Sequence, residues 1–315
     1  MANLARTQTA AEPSLPRPLS PQRLGAIRRR LLDWYSEHEQ PFPWRTARDP
    51  YAALVAAVCA QQTQMSRVLS IYERWMQAFP TVGSLAAATD AEALRVWERA
   101  GYPRRALYLR RSAQIIVEDH DSQVPCRESE LLKLPGVGPF SAAIVRCFGF
   151  GIDSTAVDTN VVRLFGRLLF GDLQPARETR AADINWAATR LTPQGQALSW
   201  NPAVMDFGAS VCTPQPKCQI CPLAGLCVAQ QRFAAGETAR PVRAQSRFAG
   251  SDRQLRGMIM RVLREHDGPL QRERLVEWVH NTSGVDDRRV ASALDSLVAD
   301  GLAQIVEGIV VLGTE

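Results

Sequence analysis

Apolar residues recur every three or four positions along most of this chain, the period of a helix with one face buried. Leu24, Ile27, Leu31 and Trp34 mark one such face. The pattern returns with Val68, Tyr72, Trp75, Met76 and Phe79, then with Leu94 and Trp97, then with Leu107, Ile115 and Ile116. Asp49-Pro50 reads as an N-cap followed by proline at the first helical position. The segment it opens is apolar on all sides through about Ala60, which predicts a helix at the centre of its domain. Two further helical stretches, between Glu128 and Gly149, flank the turn Leu134-Pro-Gly-Val-Gly138 and read as a helix-hairpin-helix. Strand alternation is absent until the last fifteen residues. The expected main domain, residues 21–227, is therefore all-α.

Its flanks read differently. Residues 1–20, with Pro13, Pro16 and Pro18 among Ala, Thr and Ser, are expected to form a disordered arm, and the Ala-, Gly-, Arg- and Gln-rich residues 228–250 a linker. Residues 251–315 predict three helices, at Leu255–Leu263, Leu270–Val279 and Arg289–Leu297, then two short strands at Leu302–Ile305 and Ile309–Leu312. Three helices and a two-strand wing resemble a small winged-helix α+β domain.

The chain's 315 residues suit two cores rather than one. No apolar run approaches membrane-spanning length and no signal-peptide core opens the chain, so a soluble, cytoplasmic protein is expected, without a membrane partner. Charge is unevenly placed. The net charge is +5, but residues 251–315 hold 8 Arg against 11 acidic residues, leaving the first 250 residues at +8. The all-α part is the one suited to a polyanion; the acidic tail is poorly suited to be the main DNA grip, and docking or partner binding fits it at least as well. Only Lys133 and Lys217 are lysines, and the arginine excess can be a coding bias, so its chemistry carries little weight in this reading.

Cys212, Cys218, Cys221 and Cys227 lie within sixteen residues. In a cytoplasmic protein, four such thiols mean metal rather than disulfides. Zinc and an iron-sulfur cluster both accept four thiolates, and the compact gaps favour a 4Fe-4S cluster over zinc. The remaining Cys59, Cys126 and Cys147 lie in apolar surroundings and read as buried structural thiols.

Two features carry the chemistry. In the hairpin turn, Gly136 and Gly138 allow positive φ and close approach, so that successive amides, with that of Val137, can face an anionic oxygen. Asp158 opens the helical pattern Asp-Thr-Asn-Val-Val-Arg-Leu, where the helix dipole favours an ionised carboxylate. A fixed anion beside a nucleic-acid grip suits stabilisation of an oxocarbenium-like sugar while a base is cut from deoxyribose. Each feature alone has a plainer reading, a common loop and an ordinary N-cap.

Six ordered motifs combine them. They are Phe-Pro-Trp-Arg (42–45), Gln-Gln-Thr-Gln (61–64), Ala-Gly-Tyr-Pro-Arg-Arg-Ala (100–106), Leu-Pro-Gly-Val-Gly (134–138), Val-Asp-Thr-Asn-Val (157–161) and the cysteine loop (212–227). From about Leu24 to Cys227 the chain resembles the helix-hairpin-helix DNA glycosylases, and within them the adenine glycosylase branch of base-excision repair. The resemblance implies a two-subdomain helical fold with an iron-sulfur cluster loop and a monomer that acts on double-stranded DNA carrying a mismatch or damaged base, in the cytoplasm and on the nucleoid. By the same similarity Asp158 is the catalytic carboxylate and Asn160 its supporting neighbour. Gln62 and Tyr102 are the side chains inserted into the DNA stack as the target base is flipped out. Arg45, Ala57 and Phe140 are the candidate pocket residues.

Three departures from the family follow. Where the adenine branch carries a Glu, four residues before Gln61, this chain has Ala57, and no carboxylate between Tyr51 and Tyr72 could replace it locally. Phe140 offers neither the amine of bifunctional relatives nor a hydroxyl, which argues against lyase chemistry. The first cysteine gap is five residues where the family usually has six. Three functions fit: a monofunctional glycosylase for bases that leave without protonation, such as U or T mispaired with G or alkylated bases; adenine removal with an acid from elsewhere; and a non-catalytic mismatch- or lesion-binding protein.

Overall fold

The computed structural model describes residues 13–239, 247–266, 268 and 270–313. Helices dominate. In chain order they are α1 (Pro21–His38), α2 (Pro43–Thr46), α3 (Pro50–Ala60), α4 (Met65–Ala78), α5 (Val82–Ala87), α6 (Asp90–Trp97), α7 (Arg104–Asp119), α8 (Glu128–Leu131) and α9 (Pro139–Ile144). There follow α10 (Thr159–Phe165), α11 (Pro175–Glu178), α12 (Ala181–Leu191), α13 (Ala197–Ser210), α14 (Gln230–Ala234), α15 (Asp252–Glu265), α16 (Arg272–Ser283) and α17 (Asp287–Ala299). Both α9 and α10 run on into a wide π turn, Val145–Gly149 and Gly166–Phe170. Among the described residues, no helix is long and apolar enough to cross a membrane.

The chain divides into two compact units, each built from separated segments: residues 1–49 with 139–242, and residues 50–138 with 243–315. In the first, Leu24, Ile27 and Leu31 of α1 meet Val161, Leu164 and Phe165 of α10, Ile184 and Ala188 of α12, and Trp200, Val204 and Phe207 of α13 in one core. Arg28 ties α1 to the end of α12 by donating to the carbonyls of Leu191 and Thr192 at 2.9 and 3.2 Å. Residues 13–20 do not follow the expected arm. Leu15 and Leu19 pack on this core, and the Arg23 guanidinium bonds the carbonyls of Arg17 and Pro18, because partly buried apolar side chains and paired backbone hold a proline-rich segment in place. The rest of the expected arm, residues 1–12, lies outside the described residues.

In the second unit α3 is the central helix: every residue from Tyr51 to Cys59 is buried, as its unbroken apolar sequence requires. Trp75 stacks edge-on against Phe79 and Trp97 beside it. The unit also holds α15–α17 and a three-stranded antiparallel sheet ordered β1-β3-β2, with β1 Leu270–Gln271, β2 Ala303–Val306 and β3 Ile309–Leu312. The first strand was not foreseen. Leu270 and Gln271 pair with Val310 and Ile309, so α16 begins at Arg272 rather than at Leu270. Within the span expected to be a linker, Gln230–Ala234 is helical, while residues 240–246 lie outside the described residues.

Candidate active site and nucleic-acid interface

Asp158 is the N-cap of α10: its Oδ1 accepts the Val161 amide at 2.7 Å, and its Oδ2 accepts from Asn160 Nδ2 at 2.8 Å. The two residues are thus joined directly. The expected ease of ionisation is only partly met. Burial pushes the Asp158 carboxyl above its usual range; the bonds from Val161 and Asn160 and the nearby Arg163 charge pull it down without cancelling that effect. A carboxylate kept short of water in this way responds strongly to positive charge arising beside it.

The support continues outward. Asn160 Oδ1 accepts from Arg163 Nη2 at 2.7 Å; the same nitrogen bonds the Gly208 carbonyl at 2.6 Å, and Arg163 Nε bonds the Cys212 carbonyl at 2.6 Å. Gly208 is small by necessity, since a Cβ there would lie 2.7 Å from that of Asn160. Asp158, Asn160 and Arg163 therefore form one hydrogen-bonded line from the start of α10 to the first cysteine of the loop.

Arginine fastens that loop throughout. Arg17 bonds the carbonyl of Gly225, Arg23 that of Leu226, Arg30 that of Pro222, and the buried Arg167 those of Thr213 and Pro214. The wide turn after α10 exposes the Arg167 and Leu168 carbonyls, which accept the amides of Ala229 and Val228. The arginine excess is thus chemistry and not only composition. A planar guanidinium with five donors suits capping several carbonyls of an irregular loop. The available signal was Arg163 and Arg167 standing within the apolar run of α10 and the turn that continues it.

Cys212, Cys218, Cys221 and Cys227 line one cavity, together with Leu164, Phe207, Leu223 and Phe233 and the cations Lys217 and Arg167. Burial pushes the Cys221 thiol up to about 11 and the Cys227 thiol up to about 12. Among the described residues, no three His, Cys, Asp or Glu side chains are arranged to hold a single metal ion. Four soft ligands around a mostly apolar space that Arg167 and Lys217 also line fit a group that spreads its ligands and carries negative charge. Of the other thiols, Cys59 and Cys147 are buried as expected, but Cys126 is exposed: Val124 and Pro125 take the inward positions of its turn.

In the second unit three sequence motifs are bonded together. Gln62 and Tyr102 are both exposed, Tyr102 by 52%, and both hold left-handed backbone, φ +53° and +46°. Such φ values are strained for residues with a Cβ and gather at functional positions. Arg105 links their turns from within: it donates to the carbonyls of Val58, Gln61 and Gly101 at 2.9, 2.5 and 3.0 Å. Gln61 Nε2 then reaches the Gly136 carbonyl at 2.9 Å, in the hairpin turn. Arg105 falls within the Ala-Gly-Tyr-Pro-Arg-Arg-Ala motif, where nothing in the sequence sets it apart from Arg104.

The hairpin glycines differ from expectation. Only Gly136 has positive φ, +74°, and a Cβ there would meet Tyr108 at 2.9 Å; Gly138 has ordinary φ and open space before it. The Val137 amide bonds the Leu134 carbonyl at 3.1 Å, so it is not aimed at an anion. The three candidate pocket residues have distinct surroundings. Arg45 is committed to Asp206 by two bonds of 2.8 Å, Ala57 is buried within α3, and Phe140 is half-buried in α9.

Residues 55–188 match the model of the HhH-GPD superfamily of base excision DNA repair proteins. The adenine DNA glycosylase of Mycolicibacterium smegmatis is 39% identical over 277 residues, covering 87% of this chain and 91% of its own. The thymine/uracil-DNA glycosylase of Pyrobaculum aerophilum is 34% identical over 209 residues, 64% of this chain and 90% of its own. Among solved structures, a thermostable thymine-DNA glycosylase superposes with a TM-score of 0.61 at 28% identity, over 67% of this chain and 98% of its own. With the helical hairpin, the capped Asp158 and the four-cysteine loop already in place, these likenesses identify the chain as a member of the HhH-GPD superfamily of base excision DNA repair proteins.

Proposed function

We propose that this protein is a monofunctional DNA glycosylase that hydrolyses the N-glycosidic bond of a flipped base in mispaired or damaged duplex DNA. The observation that carries it is Asp158, held by Val161 and Asn160 in a chain so similar to adenine DNA glycosylase. As the bond to the base lengthens, positive charge develops on the sugar ring, and the fixed carboxylate stabilises it and orients the attacking water. Gln62 and Tyr102 occupy the space left in the stack, and their strained, pre-set turns keep the ordering cost of insertion low.

Selectivity follows from Ala57. Neutral adenine leaves well only when a ring nitrogen is protonated, and general acid catalysis contributes about 10²–10⁴-fold. Helix α3, which carries Ala57, has no acidic side chain from Tyr51 to Cys59. Bases that depart as stable anions, U or T mispaired with G, or alkylated bases that already carry charge, need no such acid. In single-turnover assays on duplexes containing U or T opposite G, an alkylpurine, or A opposite 8-oxoguanine, the first three classes are expected to be cut and the last not. Release of adenine alone would overturn the selectivity, and binding without release of any base would leave a lesion-binding protein.

The four thiols would hold a 4Fe-4S cluster, which when bound supplies a rigid, negatively charged cross-link for the loop. Arg167 donates toward Cys212 Sγ at 3.7 Å and would offset that charge. The purified protein is expected to be brown, with broad absorption near about 400 nm lost on iron removal; a colourless protein with one zinc would sink this assignment.

A further inference from the structure

Helices α15–α17 and the sheet belong to the same unit as the loop that presents Tyr102 and touch it. That loop is unusually demanding: Glu98, Gly101 and Tyr102 have φ of +45°, +79° and +46°. From inside, Trp97 Nε1 and Arg105 share the Gly101 carbonyl at 2.9 and 3.0 Å, and Arg67 bonds that of Arg99 at 2.7 Å. From outside, the C-terminal residues hold both ends. Arg264, anchored to the Met260 carbonyl at 2.9 Å, donates to the Glu98 carbonyl ahead of Tyr102. Asp300 accepts from Arg104, two residues after Tyr102, at 3.3 Å, while its other oxygen is fixed by Arg256 at 2.5 Å. Gly313, at the end of β3, lies so close to α6 that a Cβ would come within 2.7 Å of that of Asp90, so the domain also abuts the helix leading into the loop.

Three arginines of these helices are paired with carboxylates of the same segment. Arg289 pairs with Asp252 at 2.7 Å, Arg272 with Asp295 at 3.2 Å and Arg256 with Asp300, in a segment of net charge −3. A winged helix that reads DNA would offer such groups to phosphate.

We propose that the C-terminal domain is a brace for the Tyr102 loop, with Asp300 and Arg264 as positioning residues for the side chain that enters the DNA stack. The inference rests on the glycosylase reading of Tyr102. Charge and geometry make opposite forecasts for Asp300→Asn. Removing a carboxylate from a polyanion-binding protein strengthens binding by charge alone, whereas a loosened brace weakens it.

The test uses the full chain and a duplex with a tetrahydrofuran abasic analogue beside 2-aminopurine, read by affinity and by 2-aminopurine fluorescence. Tyr102→Ala is expected to weaken binding about 10- to 100-fold, the range of one base-aromatic stack. Asp300→Asn is expected to weaken it about fivefold and to reduce the fluorescence change, Asp300→Glu to restore both, and Asp300→Asn to have no further effect when combined with Tyr102→Ala. Unchanged or tighter binding by Asp300→Asn, or an equal loss when Tyr102→Ala is present, overturns the brace. Equal binding of abasic and undamaged duplex by the wild-type chain overturns both the brace and the glycosylase reading, whereas selective binding that Asp300→Asn leaves intact overturns the brace alone.

Discussion

Asp158→Asn is expected to lower single-turnover base release by about 10²–10³-fold, the cost of removing one preorganised electrostatic group from a transition state. The fold should survive, since Asn caps a helix as well as Asp and can still accept the Val161 amide. Stability gives a second readout of opposite sign. The folded carboxyl titrates above the unfolded one, so the folded state binds more protons between the two pKa values and loses stability as pH rises through that window. At neutral pH, Asp158→Asn removes that penalty, and its Tm should be equal to or higher than that of the parent. Base release by the parent should fall off on the acid side starting above the ordinary Asp value of about 4, because the carboxylate must be ionised to act. A variant that loses activity together with Tm, or a parent rate still flat below pH 4, would contradict this role.

Ala57→Glu should have the opposite effect on chemistry. It restores an acid to a helix with no other polar side chain between Tyr51 and Cys59, where burial would keep the carboxyl protonated and able to donate. Adenine release opposite 8-oxoguanine should rise by about 10²–10⁴-fold. The new group has to fit a packed helix, at a cost of about 1–3 kcal/mol for burying it incompletely bonded, visible as a lower urea midpoint. Should adenine stay bound to its sugar while uracil release is unchanged, the missing acid is not what sets substrate choice.

Helix positions were legible because their signals are local. The Asp49-Pro50 cap, the apolar run of α3 and the amphipathic faces of α1, α4 and α7 all depend on residues a few positions apart. Asp158 was legible in the same way, as a cap opening an apolar run, whereas Asn160 followed only from the resemblance to the glycosylase family. The partners of arginine were not legible. Arg105 joins carbonyls 44 to 47 residues away, and Arg167 reaches 45 to 47 residues ahead to the cysteine loop. Side chain to backbone bonds of that span leave no pattern in a sequence, because every residue has a carbonyl. β1 escaped for a related reason: two residues have no periodicity, and only the register with β3 makes them a strand.

The division of the chain into interleaved units also sets the order in which it can fold. Helix α1 is made early, but its apolar face of Leu24, Ile27 and Leu31 is covered by α13, and roughly 160 residues separate His38 from Ala197. At about 5–20 residues per second of synthesis, α1 waits on the order of ten seconds before its partner leaves the ribosome. The second unit opens with α3, whose nine consecutive buried residues emerge during that interval. The nascent protein therefore presents two uncovered apolar helices at once, and its yield in the cell should depend on holdase chaperones more than the compactness of either finished unit would imply.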